Sequence, residues 1–105
     1  MPFATYSAPA PLGEALAFFA MLKEGDGTAC PGVTVQITLG GPGFLLPGDL
    51  RTGGRVIFPR TDESGGVRFR WVKGATPVPD EPISLSASAI AGQTLAIRQI
   101  EQRAP

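Results

Sequence analysis

Between Val33 and Leu39 the chain alternates apolar and polar residues without a break (VTVQITL). Two later stretches repeat the pattern, VRFRWV at 67–72 and ISLSASAI at 83–90. Successive side chains of an extended strand point to opposite faces, so a sheet with one buried and one solvated face requires this alternation. It predicts Val33, Val35, Ile37 and Leu39 facing inward, then Val67, Phe69 and Trp71, then Ile83, Leu85, Ala87 and Ala89. Arg68 and Arg70 fall on the outer face. Glycines and prolines separate these stretches. With Gly 14 and Pro 11 in 105 residues, their share is about twice the usual one. That punctuation excludes a helical bundle or coiled coil and suits short strands joined by turns.

The remaining segments extend that frame of strands. Residues 1–13 (MPFATYSAPAPLG) are expected as an extended, Pro-rich N-terminal arm, because Pro2, Pro9 and Pro11 block helix. Phe3 and Tyr6 suit docking against a neighbouring subunit, with the isolated sandwich standing without the arm. Residues 14–24 (EALAFFAMLKE) have helix formers throughout, yet Leu16, Phe18, Ala20 and Leu22 also alternate. The turn-rich GDGTACPG that follows leads straight into a strand, which decides for strand. Residues 40–54 read as one long loop and 55–60 as a short strand with Val56 and Phe58 inward. Asp62-Glu63-Ser64-Gly65-Gly66 reads as a tight turn. Residues 73–82 form a second Pro-rich loop, and 94–101 a last strand with Leu95 and Ile97 inward. The expectation is all-β: residues 14–105 form a single Ig-like β-sandwich of about seven antiparallel strands behind the arm.

Composition removes most chemistry. His is absent and there is one Cys, Cys30, so His triads, His proton shuttles, an internal disulfide framework and Cys-rich zinc sites are excluded. Nine basic residues balance nine acidic ones, which leaves no basic excess for nucleic acid. The first fifty residues carry a net charge of −3 and the rest +3. The apolar run Ala15–Leu22 is too short to span a bilayer, and no signal peptide is visible. The expectation is therefore either synthesis in the cytoplasm or a module of a longer exported protein, with no nucleic-acid or membrane partner.

Three local features resemble the bacterial Ig-like domains of the invasin and intimin type. One is an alternating strand and a Gly-containing turn leading to Pro31-Gly32-Val33-Thr34-Val35. Another is Thr61-Asp62-Glu63-Ser64-Gly65 followed by the strand 67–72, and the third is the late strand Ile83–Ala89. Transthyretin-like modules share the first two patterns. The resemblance covers roughly residues 15–90. It implies an Ig-like sandwich used for spacing, adhesion or decoration, and no catalytic residues.

Each candidate site also has a plainer role. Asp62-Glu63 and Asp80-Glu81 are carboxylate pairs in turn segments, where acids ordinarily hold backbone. Cys30 has no local base or positive field and reads as a buried small residue. Gly40-Gly41-Pro42-Gly43 lacks the G-K-[ST] of a phosphate loop. Arg60, Arg68 and Arg70 are expected to align around the 62–66 turn, as a solvated face paired with acids across strands or as a stripe for a phosphate, a sulfated glycan or an acidic partner. Phe44, Leu45 and Leu46 lie consecutively in the expected loop, either folded back on the sandwich or used as a contact. Phe3, Tyr6, Phe44, Leu45, Leu46, Arg60, Arg68 and Arg70 are thus the expected partner-binding residues. No catalytic residue, metal or cofactor is expected. The expected role is structural binding of protein partners in a larger assembly, copies of the chain included. A virion component such as a phage head decoration protein is the concrete version. The alternatives are an adhesion or spacer module of a bacterial surface protein and a glycan-binding ancillary module.

Overall fold

The computed structural model of the chain describes residues 2–8, 15–48, 53–73 and 82–100. Among them none is helical. In chain order the strands are β1 (Phe3–Ala8), β2 (Ala15–Lys23), β3 (Val35–Gly40), β4 (Phe44–Pro47), β5 (Val56–Ile57), β6 (Gly66–Val72), β7 (Ile83–Ala89) and β8 (Thr94–Ile100). They form two antiparallel four-stranded sheets, β1-β7-β3-β5 and β4-β6-β2-β8, packed as a sandwich. The neighbours β2–β6 and β3–β7 correspond to the B–E and C–F pairs of Ig-type sandwiches. The terminal strands are exchanged relative to a constant-type Ig domain. Here β8 stands beside β2 and β1 beside β7.

The inner faces follow the alternation. Val35, Ile37 and Leu39 of β3, Val67, Phe69 and Trp71 of β6, and Ile83, Leu85, Ala87 and Ala89 of β7 are all buried. β2 is a central strand despite its helix-forming composition, with Phe18, Ala20 and Leu22 buried. Cross-strand pairing with β6 and β8 on either side outweighs a propensity worth only tenths of a kcal/mol per residue. Phe18 lies directly opposite Phe69, and their rings stack with centroids 5.4 Å apart. Trp71 closes one end of the core. Its indole N–H donates to the Pro42 carbonyl at 2.8 Å. The backbone reaches that position because Gly43 sits at φ 96°, where a Cβ would strike the indole ring. The one buried polar residue among the described core positions, Thr61, accepts from Val33 N–H at 2.8 Å and donates to the Cys30 carbonyl. It thereby ties the start of β3 to the segment before β6.

Three expectations are revised. First, residues 40–54 are not one loop. Phe44–Pro47 form β4, with Leu45 fully buried opposite Trp71. Four residues between glycines and prolines give too short a run for alternation to register. Second, the strand expected at 55–60 has its faces reversed. Ile57 is buried opposite Ile37, while Val56 and Phe58 are 42% and 61% exposed. Pairing with β3, not the bulk of the phenylalanine, sets the phase of so short a strand. Third, residues 3–8 are extended, but as a strand of the sandwich. β1 pairs along its whole length with β7, and Tyr6 packs edge-on against Phe18 at 5.4 Å. Residues 9–13 of the expected arm and most of the loop at 73–82 lie outside the described residues.

Candidate binding face

The two outer faces of the sandwich differ in kind. On the sheet β1-β7-β3-β5 the outward residues include Phe3, Thr5 and Ser7, Ser84, Ser86 and Ser88, Gln36 and Thr38. None is charged. Charge within the described strands is confined to Lys23 of β2, Arg68 and Arg70 of β6, and Arg98 of β8. All four belong to the sheet β4-β6-β2-β8, and strand alternation turns all four to its outer face. No described strand carries a carboxylate. The described acids Glu24, Asp26, Asp62 and Glu63 all lie in turns.

The register places apolar residues among these cations. Leu46, Arg70, Ala17 and Ile100 form one row across the sheet. Phe44 and Val72 begin the next row, with Ala15. Arg68, Phe19 and Arg98 form another, and the Arg98 guanidinium lies 5.7 Å from the Phe19 ring centroid. A cation so placed over an aromatic face is held in orientation at little cost. A shallow cleft of about 340 Å³ opens between Ala17, Gly48, Arg68, Arg70 and Ile100. Phe44 is 47% exposed at the edge of this face.

The expected partner-binding residues divide accordingly. Phe44, Leu46, Arg68 and Arg70 come together on this face. Leu45 points into the core. Arg60 does not continue the arginine stripe: it bridges to Thr34 of the other sheet and donates to the Gly32 carbonyl at 3.0 Å. It shares only an open hollow of about 390 Å³ with Arg68, Asp62 and Pro47 at the lateral edge. Tyr6 is half-buried, its ring packed against Phe18 and its hydroxyl donating to Gln99 at 3.2 Å in an exposed hydrogen bond. Phe3 is exposed on the opposite face. Sequence reasoning missed Phe19, Met21, Arg98 and Ile100. Their signal was present, because placing Phe18 and Ile97 inward sends Phe19 and Arg98 outward.

The acidic turn is structural. Asp62 Oδ1 accepts from the Ser64 hydroxyl at 2.6 Å, the Ser64 N–H at 2.8 Å and the Gly66 N–H at 3.0 Å. These bonds, the Ser64 hydroxyl foremost, hold its carboxyl below the ordinary range, and Arg68 adds to the effect. Gly65, at φ 79°, completes the turn. Asp80-Glu81 lies outside the described residues. Cys30 is buried. Desolvation pushes its thiol up, and Glu24, whose carboxylate the thiol faces at 3.5 Å, pushes the same way. That is the opposite of an activated nucleophile. Compared with protein-family models, curated proteins and solved structures, the chain matches none.

Proposed function

We propose that the chain is a non-enzymatic binding module that seats an acidic, partly apolar protein surface on the outer face of β4-β6-β2-β8. The observation that carries this reading is the segregation of charge. Every cation of the described strands shares one face with Phe19, Met21, Phe44, Leu46 and Ile100. Protein interfaces are enriched in Arg, Met and aromatic residues and depleted of Asp and Glu. An acidic partner would gain both steering and register from such a face.

The setting we propose is a larger assembly, with a virion component such as a phage head decoration protein as the concrete version. The frame would be an Ig-like sandwich related to the invasin and intimin type. The experiment places a photo-crosslinking residue at Phe44 and, as a control on the other face, at Thr38. The chain is irradiated in native extract and its adducts identified by mass spectrometry. The expected result is an adduct with an acidic protein from position 44 only, lost when Arg68 and Arg98 are changed to Glu. Adducts from both positions alike, or adducts indifferent to the arginines, would overturn the reading.

A further inference from the structure

We propose that the open edge of β1 pairs with β1 of a second copy, joining two β1-β7-β3-β5 sheets into one continuous sheet. Ala89 N–H donates to the Pro2 carbonyl at 3.3 Å. In an antiparallel ladder the backbone groups alternate between the two neighbours. Ala4 and Tyr6 therefore direct their N–H and C=O toward β7, and Phe3, Thr5 and Ser7 direct theirs toward the open edge. Among the described residues nothing pairs with that edge.

Its pattern is self-complementary. A two-fold axis at Thr5 sets Thr5 opposite Thr5, and Phe3 of one copy opposite Ser7 of the other. Every outward-directed N–H and C=O of Phe3, Thr5 and Ser7 then meets its counterpart in the second copy. The side chains stay in phase, because Phe3, Thr5 and Ser7 all lie on the outer face while Ala4 and Tyr6 face inward. No charge opposes the approach, since FATYSA carries none.

The other edges carry the features that ordinarily deter such pairing. β5 is two residues long. The edge of β4 is taken by Gly54, which exchanges hydrogen bonds with Leu45 at 2.8 and 3.1 Å, and β4 ends in Pro47. β8 carries Arg98. Among the described edge strands only β1 is at once longer than two residues, uncharged and free of proline.

Sedimentation equilibrium of the full chain over a concentration series tests this. The wild type is expected to approach the mass of two chains. Thr5→Lys, which sets like charges opposite each other at the axis, is expected to weaken dimerisation at least tenfold. Thr5→Pro removes an edge-directed N–H without touching the β7 ladder, a position where proline is tolerated, and is expected to do the same with an unchanged circular dichroism spectrum. Thr5→Cys reads the register directly. Hydrogen-bonded pairs lie about 5.5 Å apart at Cα, within the range of a disulfide, so oxidation is expected to link two copies through Cys at position 5 and not through Ser7→Cys. A wild type that remains a monomer at every concentration, or a dimer that Thr5→Lys leaves intact, would overturn the proposal.

Discussion

Trp71 shows how one side chain links sequence to packing. It sits at the inward phase of VRFRWV, is fully buried, faces Leu45 of β4 and Leu16 of β2, and is anchored through its N–H to Pro42. Trp71→Ala removes the largest buried ring, and a loss of roughly 3–5 kcal/mol is expected. Urea denaturation measures it directly. A loss under about 1 kcal/mol would mean that the indole is not a core element. The inward residues of the long alternating strands were legible because each strand is long enough to state its phase. Ile57 was not, because two residues state no phase and only pairing with Ile37 supplies it. Leu45 was hidden for a related reason. Its neighbours Phe44 and Leu46 are apolar too, so nothing in FLLP distinguishes the face that turns inward.

At the scale of elements, β1 and the Asp62 turn carry the sharpest consequences. The sequence supports an extended segment at residues 3–8, but whether it stands apart or joins a sheet depends on pairing with β7, some eighty residues away. Removing residues 2–8 strips Tyr6 from Phe18 and leaves β7 as an edge. Losing about 2 kcal/mol of burial is expected to lower the thermal midpoint by roughly 8–16 °C, as calorimetry would show. An unchanged midpoint would mean that the sandwich does not depend on β1. The Asp62 turn gives a pH dependence of definite sign. Its carboxyl is held below the ordinary 3.8 by the Ser64 and Gly66 hydrogen bonds. The turn's contribution is therefore fully present above that value and lost as pH falls through the lower folded value. Asp62→Asn keeps the acceptor oxygen but does not titrate. Between about pH 4 and pH 2 the wild type is expected to lose denaturation midpoint more steeply than Asp62→Asn. Parallel curves would contradict the assignment of that titration to Asp62.

The whole molecule is a sandwich with two unlike outer faces, one whose strands carry hydroxyls and exposed apolar side chains such as Phe3 and Val56 without charge, and one of arginines among apolar side chains. The sheet faces were legible strand by strand. The joint surface was not, because it requires knowing that β4, β6, β2 and β8 are neighbours in that order. Arg68 and Arg98, thirty residues apart, flank Phe19 only in that arrangement. The same order sets Arg60 beside Thr34, apart from Arg70 and next to Arg68 only across the lateral hollow. The proposed function rests on the face and not on any single residue, so the decisive measurement compares arginines on and off it. Phenylglyoxal modification followed by mass spectrometry reads each arginine in the free chain and in native material. In native material Arg68 and Arg98 are expected to be protected at least severalfold while Arg55 and Arg60 keep the reactivity they have in the free chain. Equal reactivity of Arg68 and Arg98 in both states, or protection confined to Arg55 and Arg60, would contradict binding through this face.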